Sequence, residues 1–124
     1  MLFLPTLTVQ VIEKFEQLMG QSFGTEFMAK YRTKILFAVA VDEIECWLLP
    51  IFFTNKSASA TNNCLFKLNQ QLGSRNEKTI NPNNKSVRQY DGLSNDFCKP
   101  KKLAAASQKN PSLGLFVENL KSQI

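Results

Sequence analysis

Residues 34–53 read KILFAVAVDEIECWLLPIFF, an apolar run that stops at the acids Asp42, Glu43 and Glu45 and resumes around Trp47, the only tryptophan of the chain. From Ile35 to Val41 every side chain is apolar and several are β-branched or aromatic, the pattern of a strand buried on both faces. Asp42 follows directly. Asp42-Glu43-Ile44-Glu45 then reads as a helix opening, with Asp42 as N-cap and Glu45 in the reciprocal position of a capping box. In an open α/β sheet the carboxyl end of such a strand is where ligands bind.

The acids have two uses at that junction. As caps they satisfy the first N–H groups of the helix and complement its dipole, typically for under ~1 kcal/mol each. As a cluster at a strand end they suit a hard cation, because Mg²⁺ takes oxygen ligands and is usually held by one or two carboxylates plus substrate phosphates. Trp47, Leu48 and Leu49 read as the apolar face that docks the helix. Pro50 should kink or end that helix near Leu49.

On the N-terminal side, Met1–Leu4 is a short apolar run closed by Pro5 that reads as a truncated strand or a flexible end, with the strand favoured. From Thr8 to Met19, residues Val11, Ile12, Phe15, Leu18 and Met19 recur at helical spacing and predict an amphipathic helix ending near Gly20. Phe23, Phe27 and Tyr31 recur every four residues and predict a second short helix, broken at Gly24, whose aromatic stripe lies in the core.

On the C-terminal side, residues 55–60 are a polar connector. Cys64, Leu65, Leu68 and Leu72 predict a helix ended by Gly73. Residues 73–85 have the composition of a long surface loop, and residues 86–93 read ambiguously. Pro100 is placed to open a helix through residues 104–107, with Lys99, Lys101 and Lys102 grouped about it. Lysines at a helix N-terminus oppose the dipole, which favours phosphate contact over capping. The last helix has Asn110 as N-cap, Pro111 at the first helical position, and Leu113, Phe116, Val117 and Leu120 on one face.

At 124 residues, 44% of them hydrophobic, the chain suits one domain with a real core. It has no histidine, which removes the usual general base, the Ser-His and Cys-His pairs and imidazole metal ligands. Its three cysteines, Cys46, Cys64 and Cys98, are widely spaced and without a CxxC, so they read as buried or idle thiols, not as a disulfide or zinc framework. No stretch approaches a membrane span, and the start lacks the features of a signal peptide, which predicts a cytoplasmic protein. The net charge of +5 is uneven: residues 1–54 carry 4 basic and 6 acidic side chains, and residues 55–124 carry 11 and 4. A basic half suits either polyanion binding or an ordinary lysine-rich surface.

AVAVDEIECWLLP, followed by CKPKKL and NPSLGLFVENL, resembles the back half of a family of uncharacterised bacterial proteins with a TOPRIM-like domain. The resemblance implies a TOPRIM-like α/β fold and a Mg²⁺-dependent nuclease or defence-associated role. It carries over Glu43, Glu45 and Trp47 as motif residues, with Asp42 beside them. The expected architecture is therefore a single α/β domain over residues 1–124, or the C-terminal half of a larger one, with a small, mainly parallel sheet around Ile35–Val41 and a helical C-terminal part. The leading functional expectation is action on nucleic acid, with Glu43 and Glu45 as catalytic residues, Asp42, Glu43 and Glu45 holding Mg²⁺, and Lys99, Lys101 and Lys102 contacting phosphate. The alternative is a non-catalytic interaction module or one subunit of a two-gene system, favoured by the absence of any Asp-x-Asp sequence.

Overall fold

The computed structural model describes residues 4–40 and 43–123. Seven α-helices are formed among them: α1 (Leu4–Phe23), α2 (Thr25–Tyr31), α3 (Leu49–Phe52), α4 (Cys64–Ser74), α5 (Val87–Leu93), α6 (Pro100–Lys109) and α7 (Pro111–Gln123). Short 3₁₀ turns at Arg32–Lys34, Ile44–Trp47, Lys56–Ser59 and Asn95–Cys98 link them. No strand occurs among the described residues.

The expected α/β architecture is thus corrected to an all-helical one, and the parallel sheet is not formed. Residues 35–40 form no regular element; Ile35 is extended at φ −107° and ψ 126°, but no strand lies beside it among the described residues. A strand run needs a partner ladder to satisfy its backbone. Here the apolar side chains serve as a strap instead: Ile35, Leu36 and Phe37 border a cavity of about 110 Å³ with Ile12 of α1 and Asn119 and Gln123 of α7. Phe37 also meets Phe15 at 6.4 Å between ring centroids. Met1 to Phe3 of the expected N-terminal strand lie outside the described residues, and Leu4 already belongs to α1.

The helix expected from Asp42 to Leu49 is divided. Ile44–Trp47 is a 3₁₀ turn with Glu43 as its N-cap residue, and Pro50 opens α3 instead of ending a helix. That position suits proline, whose missing N–H has no intrahelical partner in the first turn.

Residues 45–50 are all buried and stand at the centre of the molecule. Cys46, Leu48 and Leu49 enter a core with Cys64, Leu68, Leu72 and Ile80. Trp47 turns to the other side, into a second core with Ala106, Leu113 and Val117, where it stacks on Phe116 at 5.5 Å. The first core is also closed covalently, by a disulfide between Cys46 and Cys64. The expectation of idle thiols is corrected for this pair, whose residues stand 18 apart in sequence but 4.9 Å apart at Cα. Cys98 remains a free, exposed thiol.

The long loop after α4 is pinned. Asn69 donates through Nδ2 to the Ile80 carbonyl at 2.9 Å and accepts the Ile80 N–H at 2.7 Å, which buries Ile80 without stranding its backbone. Gln89 of α5 donates to the Lys78 and Thr79 carbonyls. Helices α6 and α7 pack so closely that a Cβ at Gly114 would lie 2.7 Å from the Ser107 carbonyl oxygen.

The hairpin of α1 and α2 is built differently. Gly24 turns between the helices at φ 90°, a conformation that side chains disfavour. No residue of α2 is buried, and the stripe expected to be core is covered only in part: Phe23, Phe27 and Tyr31 follow one another at 4.9 and 4.8 Å, with Phe23 59% exposed and Phe27 and Tyr31 half-buried. Arg32 Nε donates to Glu16 Oε1 at 2.8 Å and ties the end of α2 back to α1.

Candidate functional site

Glu43 and Glu45 flank Ile44 at the entrance to the 3₁₀ turn and face opposite duties. Helix α4 starts after Asn63, a left-handed residue at φ 52° whose side chain makes no cap bond. Glu43 supplies the missing acceptor from 22 residues away: its Oε1 accepts the Leu65 N–H at 2.6 Å. A carboxylate there satisfies an orphan donor and complements the helix dipole.

Glu45 is fully buried. Its Oε1 accepts from Lys85 Nζ at 2.8 Å and from the Tyr90 hydroxyl, while Oε2 has no hydrogen-bond partner. The expected capping box is therefore replaced by a buried ion pair with a phenol on the same oxygen. Burial alone would push the Glu45 carboxyl up, but the bonds from Lys85 and Tyr90, its own backbone N–H and the Lys85 charge together hold it below the usual carboxylate value. The bond to Glu45 raises Lys85. Burial first, and then the Glu45 bond and charge, push Tyr90 up to about 12.

A shared divalent cation does not fit Glu43 and Glu45 as they stand. Mg²⁺ needs several oxygens with open lone pairs around one point. Glu43 has turned to the start of α4, and Glu45 is sealed from solvent against the ammonium of Lys85, which already supplies the positive charge. Among the described residues no three His, Cys, Asp or Glu side chains gather to hold a metal; Asp42 lies outside them.

The three lysines are placed where the sequence puts them, around Pro100 at the start of α6, and all are exposed. Lys102 reaches Asp96 Oδ1 at 3.2 Å. They lie on a helix end apart from the Glu45 cluster, which recruits its cation from Lys85 instead.

Asn110 is a further residue whose reach exceeds its expected part. It caps α7 by accepting the Leu113 N–H at 3.1 Å. Its Nδ2 also donates to the Cys46 and Ala58 carbonyls at 3.1 and 3.2 Å. Ser112 Oγ donates to Asn110 Oδ1 at 3.1 Å and accepts the Trp47 indole N–H at 2.7 Å. Beside this network, Ile44, Trp47, Leu48, Tyr90, Ser94 and Phe97 line a mainly apolar cavity of about 260 Å³.

Lys85, Tyr90 and Ser112 carry these contacts and were not singled out by the sequence. They lie 40, 45 and 65 residues from their partners, beyond any local periodicity. No helix is long and apolar enough to cross a membrane among the described residues. No protein-family model, curated protein or solved structure matches the chain.

Proposed function

We propose that this chain is a non-catalytic, all-helical interaction module. The observation that carries this reading is the use made of the two acids that the sequence singles out: Glu43 holds the start of α4 and Glu45 is closed under Lys85 and Tyr90. Both carboxylates are components of packing. Apolar surface available for a partner is offered by Val9, Phe15, Leu18 and Phe23 on the α1–α2 hairpin, and also by Ile44, Phe66 and Val87 elsewhere. Isolated apolar residues on a surface are ordinary, but a group on one hairpin marks an interaction face. The Cys46–Cys64 disulfide favours maturation in an oxidising environment.

A second reading, nucleic-acid binding by the basic half, is favoured by the exposure of Lys99, Lys101 and Lys102 beside a surplus of basic side chains in residues 55–124. Its signature is an affinity that falls linearly on a log scale with salt, with a slope reduced by about one for each phosphate-contacting lysine removed.

Thermal melting with and without Mg²⁺ or Mn²⁺ tests the leading reading. The wild type should melt at the same temperature in both, and Glu43→Gln should lower that temperature equally in both. A cation-dependent rise that Glu43→Gln abolishes would give these acids a ligand and overturn the proposal.

A further inference from the structure

We propose that the cavity between Trp47, Tyr90 and Phe97 is a binding site for a small, neutral aromatic molecule of one or two rings. It stands apart from the interaction-module reading, because the cavity lies in the central segment and not on the hairpin.

The site is built where the two cores meet. Leu48 belongs to the first core and Trp47 to the second, and Phe97 packs against both. With Ile44, Tyr90 and Ser94 they border about 260 Å³. Trp47 and Leu48 are buried, Tyr90, Ser94 and Phe97 are half-buried, and Ile44 is 52% exposed. That gradient places the floor at Trp47 and Leu48 and the mouth at Ile44.

The walls select the occupant. The polar atoms of the two largest side chains are engaged outside the cavity: the Trp47 indole N–H donates to Ser112 Oγ, and the Tyr90 hydroxyl donates to Glu45 Oε1. These bonds fix both rings and leave them to meet a ligand through carbon. Burial and the Glu45 carboxylate push the Tyr90 phenol up to about 12, so none of the six described lining residues carries a charge at neutral pH. An ionic ligand would lose its water there without gaining a partner, whereas a neutral aromatic one can stack on or meet the edges of three rings. Ser94 supplies the one adaptable polar group: its hydroxyl reaches the Asp91 carbonyl only at 3.4 Å and can turn to a donor or acceptor on the ligand.

Volume sets the size. An apolar cavity of about 150 Å³ takes benzene, and drug-sized ligands occupy about 300–1,000 Å³. At about 260 Å³ this cavity lies between them and has room for two fused rings. Ligand sites are largely preformed, and here the preformation comes from Ser112 and Glu45, which hold the walls from behind.

Indole, two fused neutral rings with one N–H, is the probe. Trp47 is the only tryptophan, so isotope-labelled protein gives a single indole signal in a proton–nitrogen correlation spectrum. Unlabelled indole should shift that signal saturably, with a Kd at or below about 1 mM. Indole-3-acetate, the same rings with a carboxylate, should bind at least about tenfold more weakly. Ser94→Leu adds a branched apolar side chain to the cavity and should weaken indole by about tenfold or more. If that variant does not fold, Ile44→Glu, which sets a charge at the exposed mouth, is read in the same way. No saturable shift, equal affinity for the two compounds, or an unchanged affinity in the folded variant would each overturn the proposal. A Trp47 signal that moves with protein concentration and not with indole would give the cavity to a side chain of another copy and overturn it as well.

Discussion

The segment from Ile44 to Val117 and the hairpin from Leu4 to Tyr31 draw on similar residues and use them in opposite ways. In the first, Leu49, Leu68 and Leu72 have no exposure at all; in the second, Phe15 and Leu18 sit on an equally regular helix and face outward. Among the described residues the central segment has two acid–base pairs, Glu45–Lys85 and Asp96–Lys102, and the hairpin has Glu16 paired with Arg32 just beyond its end. Glu45 meets Lys85 with its carboxylate sealed from water, whereas Glu16 and Arg32 pair at the surface with about a third of each side chain exposed. A surface pair contributes little because water competes for both charges. Removing one partner of a buried pair strands the other and costs much more. What separates the regions is the kind of closure: a disulfide, Asn110 and Ser112 bind the central segment through covalent and polar bonds far along the chain, whereas the hairpin meets the rest through side-chain packing on α7 and Phe37.

The sharpest way to break this contrast is Asn110→Ala. It strands the Cys46 and Ala58 carbonyls and the Leu113 N–H together, and should cost about 4 kcal/mol in denaturant unfolding, from about 1–3 kcal/mol for each buried group left unpaired. A loss under about 1 kcal/mol would mean that the network is solvated and the central region is not closed as described. Next comes the paired change Cys46→Ser, Cys64→Ser. Opening a loop of this length should cost about 3 kcal/mol on chain-entropy grounds, and a reductant should lower the melting temperature of the wild type but not of the variant.

Glu45→Gln should cost about 2–3 kcal/mol, the lower end for a broken buried pair because Lys85 reaches water. Its pH dependence has a definite sign. The folded Glu45 carboxyl lies below its ordinary 4.5, so its contribution is present above that value and fades as pH falls through the folded one. Lys85 and Tyr90 are raised, so theirs is full below pH ~10 and fades as pH rises toward the folded values. Melting profiles should therefore fall at both ends in the wild type, with a shallower acid limb in Glu45→Gln; identical acid limbs would deny the pair its role. The smallest effect belongs to the hairpin: Gly24→Ala meets no neighbouring atom and should cost about 1 kcal/mol from the positive φ alone. A larger loss would place the hairpin within the same cooperative core.

Helices were legible in the sequence wherever periodicity and local end signals agreed. The pattern from Thr8 to Met19 lies inside α1, Cys64 and Pro100 begin α4 and α6, and Asn110-Pro111 begins α7. The reading failed at Ile35–Val41, because an apolar run states a need for burial and not the means. Residues 35–37 meet that need only in part, half-buried beside α1 and α7 without a ladder, and Ala38 is exposed. It failed again at Phe23, Phe27 and Tyr31, where regular spacing defined a face but could not say whether anything covers it. In the candidate site, the acids were visible as a cluster, but their bonds to Leu65, Lys85 and Tyr90 depend on the folded path of residues 63–90. The Cys46–Cys64 pair was illegible for the same reason.

Asn110 joins three parts of the chain through one side chain: the turn at Cys46, the turn at Ala58 and the first turn of α7. Helix α7 therefore cannot fray from its N-terminus without also releasing two carbonyls more than fifty residues upstream. In amide-exchange terms, the Leu113 N–H should open only with the central turn, at the free energy of a shared unfolding unit rather than that of a helix end. A residue in the cap position, where helices ordinarily begin to come apart, thereby sets the size of the smallest piece that can unfold alone.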